Sequence, residues 1–221
     1  MKSYRKNAIT AGTFFLIAMI TSIVGGSLLE PILTASDSLV QISENNTQVA
    51  VFAILELISA ISVIGITAAL FPIIKKYNEG LAAGYLGFRI LESVACVIVA
   101  IIPLSLMTLS KEFVTSELSD VSHFQTLGIT LLGIRNDAYN VLIPLFFSLG
   151  AYILYYTLYK TKFVPRFLSI WGLISVAFIV ILNILTLDMS IGIFLALPMI
   201  LNEIVLGIWL IVKGFDKSKL T

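Results

Sequence analysis

Six stretches of this chain are each long and apolar enough to cross a lipid bilayer, and that one feature excludes most folds. They run over about 8–29, 49–73, 81–106, 138–160, 166–187 and 190–212. An α-helix rises about 1.5 Å per residue, so about 20 apolar residues cover a hydrocarbon core ~30 Å thick. That core holds no water to satisfy backbone N–H and C=O groups, so such stretches are helical. The expected fold is all-α: one transmembrane domain over residues 1–221, built as a bundle of six transmembrane helices. Composition agrees, with 58% of residues hydrophobic and 12% charged, where a soluble domain carries roughly a quarter charged.

Lysine and arginine positions set the expected orientation. With the N-terminus inside, the cytoplasmic segments hold Lys2, Arg5, Lys6, Lys75, Lys76, Lys160, Lys162, Arg166, Lys213, Lys217 and Lys219, and the outer loops hold only Lys111. Both termini are therefore expected in the cytoplasm. The outer side carries acids instead, among them Glu30, Asp37, Glu44 and Glu112. Lys2, Arg5 and Lys6 ahead of an apolar run also suit a signal peptide. The run from Ala8 to Leu29 is long for one and no A-x-A site follows, so it reads as a retained first span. Trp171 and Trp209 lie near the cytoplasmic charges, as does a helical stripe of Tyr152, Tyr155, Tyr156 and Tyr159; both read as interface anchors.

Residues 30–48 and 107–137 form the two longer connections. In the second, Val114, Leu118, Val121, Phe124, Leu127, Leu131 and Ile134 recur at intervals of three and four. That spacing predicts an amphipathic helix on the outer side, lying on the membrane or continuing into the fourth span.

Several chemistries lack the residues they need. One cysteine, Cys96, excludes an intrachain disulfide framework and any multi-cysteine metal site. One histidine, His123, falls outside the spans and leaves no Ser-His-acid triad and little room for zinc or haem. No metal or cofactor is expected. A net charge of +1 gives no reason to expect nucleic acid. The expected partner is the lipid bilayer, with a small polar or amphipathic ligand as a further candidate.

Six charges remain at membrane depth: Glu56, Arg89, Glu92, Arg135, Asp137 and Glu203. Each costs at least ~2.5–3.5 kcal/mol at a helix centre, so each is expected to face another or a wet cavity rather than lipid. Arg89 and Glu92 stand three residues apart on one helical face and are expected to pair. With four acids against two arginines, at least one carboxylate lacks a cation and is a candidate proton carrier. Counted along the helices, Glu56, Arg135, Asp137 and Asn183 fall towards the outer side, and Arg89, Glu92, Asn202 and Glu203 near the middle. The pattern predicts a polar pocket open outwards. Pro144 and Pro198 predict kinks in the fourth and sixth spans.

The segments "GYLGFRILES" (84–93), "VPRFLSIWGLI" (164–174) and "LPMILNEIVLGIWLIVKGF" (197–215), with "NAITAGTFFLIAMITSIVGG" (7–26), resemble the corresponding segments of the DUF4386 family. The resemblance implies a bacterial multi-pass protein of the plasma membrane and brings no activity, cofactor or partner with it. Three functions follow as expectations. The first is small-solute binding or transport through the polar pocket. The second is a structural or regulatory membrane protein whose buried charges only fix helix packing. The third is an intramembrane enzyme on a lipid-like substrate, for which no catalytic motif is present.

Overall fold

A computed structural model describes residues 2–115, 121–185 and 189–216 of the chain. The helices are α1 (Lys2–Leu33), α2 (Ser38–Glu44), α3 (Asn46–Tyr77), α4 (Glu79–Thr115), α5 (Val121–Asp137), α6 (Ile143–Thr161), α7 (Arg166–Leu185) and α8 (Met189–Val212). Among the described residues six helical stretches are long and apolar enough to cross a membrane, in the order expected. The protein is an all-α polytopic membrane bundle.

Both longer connections are more helical than their polarity suggests. In the first, α1 continues to Leu33 and α2 occupies Ser38–Glu44 before α3 begins at Asn46. In the second, α4 runs on to Thr115. Leu118 lies outside the described residues, and so does the rest of 116–120. From α5 the backbone enters α6 without a break through a π-helical turn, Ala138–Leu142, where Ile143 N–H donates to Ala138 O. Pro144 follows that turn. It has no N–H to give the carbonyl four residues back, and the wider turn absorbs the mismatch. Ser122–Thr161 is thus one helical run of 40 residues, ~60 Å long and about twice the hydrocarbon thickness. Half of it must stand clear of the bilayer, where it packs on the protruding end of α4, with the Phe113 and Phe124 rings edge to face at 6.3 Å.

The apolar stripe expected along α5 is shifted. Phe124, Gly128, Leu131 and Leu132 turn inwards, whereas Leu127 and Ile134 are exposed. The inward line spaces its members by three and four and ends on Arg135, so an arginine occupies a position that the amphipathic pattern left to apolar residues.

Around the bundle the six spans stand in chain order. Helix α1 packs on α3, α3 on α4, α4 on α6, α6 on α7, α7 on α8, and α8 closes on α1. The result is a ring in which α4 and α8 stand on opposite walls. The α1–α8 seam is close: Gly12 and Gly207 face each other, and the Arg5 guanidinium donates to the last carbonyls of α8, Leu210 O (3.2 Å) and Ile211 O (2.6 Å). Those carbonyls have no partner within the helix and sit at the negative end of its dipole, so a cation there is favourable.

Two apolar clusters fill the ring. One, with Ala11, Phe15, Leu70, Ile73, Leu154, Leu158, Leu168, Leu206 and Phe215, extends to the end carrying both termini. The other, with Leu29, Ile42, Phe52, Val99, Leu106 and Ala138, fills the opposite end, where α2 and α5 lie; this is called the loop end below. On α4 one line of buried positions, Ala82, Tyr85, Arg89, Glu92, Cys96, Val99, Pro103, Leu106 and Ser110, runs by alternating steps of three and four, with Ser93, Ala95, Ala100 and Ile102 buried beside it. The polar members lie on the same seam as the apolar ones, which brings Arg89 and Glu92 to the ring interior.

Candidate functional site

The interior charges begin with a closed pair. Arg89 Nη1 donates to Glu92 Oε2 at 2.7 Å, and both residues are 4% exposed. The Arg89 stem lies against Gly150 of α6, where a Cβ would come within 2.9 Å of Arg89 Cδ. The guanidinium carbon stands 5.8 Å from the centre of the Phe147 ring, an attractive geometry for a cation. Any side chain at position 150 would push the guanidinium off that seat.

From the opposite wall, Glu203 of α8 acts electrostatically on Arg89, Glu92, Tyr85 and Tyr155. Among the described residues no ion pair within 4.0 Å joins it to a cation, and it keeps part of its surface accessible. The ring therefore brings Arg89, Glu92 and Glu203 to one interior region but pairs only the first two. Asn202, fully buried beside Glu203, donates from Nδ2 to Leu168 O of α7 at 3.0 Å and leaves its Oδ1 without a partner.

Two tyrosines complete this region. Tyr85 and Tyr155 are each 1% exposed, and the Tyr155 hydroxyl has no hydrogen-bond partner among the described residues. The Tyr85 hydroxyl lies beside Thr67, whose oxygen donates its own hydrogen to Val63 O at 2.7 Å and keeps lone pairs that can accept from Tyr85. The Tyr155 ring fills the space left by Gly172 of α7. Tyr155 is thus no interface anchor; of the four-tyrosine stripe it is the member turned inwards, whereas Tyr152 is 54% exposed. Arg89 Nε and the Ser148 hydroxyl of α6 are also buried without partners. Buried polar groups are nearly always satisfied, and exceptions call for water, a ligand or a functional role.

A second group lies towards the loop end. Arg135 Nη2 pairs with Glu30 Oε1 at 2.6 Å, Nη1 donates to Asn136 Oδ1 at 3.2 Å, and the guanidinium sits 4.9 Å from the Tyr139 ring centre. Glu30 escapes detection from sequence because apolarity stops at Leu29, while the backbone stays helical for another turn and aims Glu30 at α5. Glu56 of α3 is buried, faces the Cys96 thiol of α4 and lies within electrostatic reach of Arg135. Cys96 in turn lies within reach of Glu92 and Arg89. Polar groups thus form a string from Glu30 and Arg135, through Glu56 and Cys96, to the Arg89–Glu92 pair.

Not every expected residue joins it. Asp137 is exposed at the end of α5 and turns away from the Arg135 pair. Asn183 of α7 is half-buried and makes no hydrogen bond to the other candidates. His123 is exposed. Among the described residues no group of three His, Cys, Asp or Glu side chains is placed to hold a metal ion.

Residues 10–214 match the model of a family described as a domain of unknown function, DUF4386. The chain belongs to the DUF4386 family. No curated protein and no solved structure matches it. In this DUF4386 chain the matched region contains every interior charge described above, together with Glu30, the half-exposed partner of Arg135 that sequence reading missed.

Proposed function

We propose that this DUF4386 protein binds or transports a small polar or amphipathic solute at an interior site. The site comprises Arg89, Glu92 and Glu203 with Tyr85 and Tyr155. Glu56, Arg135 and Glu30 line the approach from the loop end, which the lysine and arginine distribution assigns to the outside of the membrane. One observation carries this reading: buried side chains of α4, α6 and α8, among them Arg89, Ser148, Tyr155 and Asn202, keep polar atoms without hydrogen-bond partners. A core built only for packing pairs its polar groups or omits them, because each orphan costs about 1–3 kcal/mol of desolvation. A ligand or water that arrives and leaves needs such groups kept unsatisfied.

The test is access. With Cys96 replaced by alanine, Glu203→Cys is expected to react with a small water-soluble methanethiosulfonate in the folded protein. Glu203→Gln is expected to fold normally.

A second reading has its own observation. The Arg89–Glu92 pair is closed, and Arg89 is seated on Gly150. On that reading the charges only fix the register of α4 against α6. A folded Glu203→Cys protein that stays unmodified would favour it.

A further inference from the structure

Helix α5 is held to the rest of the protein by few contacts, and one of them is charged. Of its described residues only Gly128 and Arg135 are buried, seven residues apart on one face, with Phe124, Leu131 and Leu132 half-buried beside them. That face crosses three neighbours. A Cβ on Gly128 would stand 3.3 Å from Leu39 Cδ1 of α2, the Phe124 ring meets Phe113 of α4, and Arg135 Nη2 donates to Glu30 Oε1 of α1 at 2.6 Å. Leu131 and Leu132 rest on the apolar cluster at the loop end, so α5 lies across that cluster as a strap.

The ion pair is lopsided. The Arg135 side chain is 3% exposed and that of Glu30 is 42% exposed. The other contacts of the guanidinium, Asn136 Oδ1 and the Tyr139 ring, belong to its own helical run and move with it. Among the described residues Glu30 is its one ion-pair partner within 4.0 Å, since Glu56 forms no such pair. If the pair is broken, the carboxylate is solvated where it stands, whereas the guanidinium is left as a buried, unpaired charge, which is strongly destabilising. Carrying Arg135 out into water relieves that state, and the backbone supplies a joint for the movement. The π-helical turn Ala138–Leu142 begins three residues after Arg135. A π turn holds more residues than an α turn, and rewinding it by one residue rotates the preceding helix by about 100°.

We propose that α5 is a strap hinged at the π-helical turn and latched by Glu30. The Glu30 carboxylate holds Arg135 down, and its removal frees α5 to swing off the loop end of the ring. The device does not depend on a ligand at the interior site.

Pulsed electron–electron double resonance on the full chain in detergent tests this. Nitroxide labels go on Gln48→Cys at the start of α3 and Gln125→Cys on α5, both exposed, in the Cys96→Ala background. The parent is expected to give one narrow distance distribution. Glu30→Gln is expected to broaden it and shift it to longer distances. Arg135→Met removes the buried charge and leaves Glu30 to water, so it is expected to keep the narrow distribution, and so is Glu30→Gln combined with Arg135→Met. Asp137→Asn, at an exposed acid of the same helix outside the pair, is expected to change nothing. An unchanged distribution in Glu30→Gln would overturn the latch, because the apolar face alone would then fix α5. An equal shift in Arg135→Met would overturn it too, because the pair would then be an ordinary bridge. A Glu30→Gln protein that fails to fold would do the same, since a stranded charge with a working hinge escapes to water and leaves the bundle standing.

Discussion

Arg89 has an acid one turn along its own helix and a glycine on the next, and neither contact is dispensable. A guanidinium is always charged, and in the bilayer it needs both a counter-charge and space for its stem. Glu92 supplies the first at 2.7 Å and Gly150 the second. Truncating one partner of a buried pair leaves the other uncompensated. Arg89→Ala is therefore expected to lower stability by roughly 3–5 kcal/mol. Replacing both, as Arg89→Leu with Glu92→Leu, is expected to recover most of that loss, because the pair's own desolvation cost disappears with it. Denaturant unfolding of the single and double variants in the same detergent measures the difference. If the double variant is as unstable as the single one, the pair supports more than itself. The same contrast sets Glu203 apart, since its removal leaves no cation stranded within 4.0 Å.

Between helices, the decisive contacts are made by small residues. The α1–α8 seam closes the ring, and a Cβ at Gly12 would lie 2.5 Å from the Gly207 carbonyl oxygen, a backbone atom that cannot rotate aside. Gly12→Ala is expected to cost about 1–3 kcal/mol through overpacking. Gly26→Ala on the same helix meets nothing within 4 Å and serves as the control, neutral or slightly stabilising. Thermal unfolding of the two variants checks this, and equal midpoints would mean that the seam is looser than described. The spans were legible in the sequence because apolar length alone reports them, and the Arg89–Glu92 pair because three residues on a helix define a face. The seam was not legible: a glycine reveals close approach only once its neighbour is known. Tyr155 was missed for a related reason. Four tyrosines within eight residues read as one stripe, and the glycine that draws Tyr155 inwards, Gly172, lies on another helix. Glu30 was hidden by the assumption that a helix ends where its apolar residues do. The shift along α5 has the same origin, because Gly128 faces inwards against Leu39 of α2 and carries no hydrophobic signal of its own.

In the whole molecule, the ring runs in chain order, so the third span of each half, α4 and α8, stands on opposite walls and carries an acid inwards: Glu92 on one and Glu203 on the other. Two three-span halves in succession enter the membrane from opposite sides. The direction of approach then depends on which end faces out. At the end carrying the termini, Lys76 stands 4.9 Å from the Tyr4 ring centre, Lys160 5.6 Å from that of Tyr156 and Arg166 5.5 Å from that of Tyr159. Below them the apolar cluster extends across the ring. Lysines and arginines gather on the cytoplasmic side of membrane proteins, so this sealed end is expected inside and the Glu30 end outside. The measurement is cysteine labelling of intact cells with a membrane-impermeant maleimide, on the Cys96→Ala background. Ser36→Cys, exposed between α1 and α2, is expected to label without permeabilisation, whereas Lys162→Cys, exposed after α6, is expected to label only once the membrane is opened. The reverse pattern would put the polar string on the cytoplasmic side. The interior site would then take its ligand from the cell rather than from outside, through the same residues.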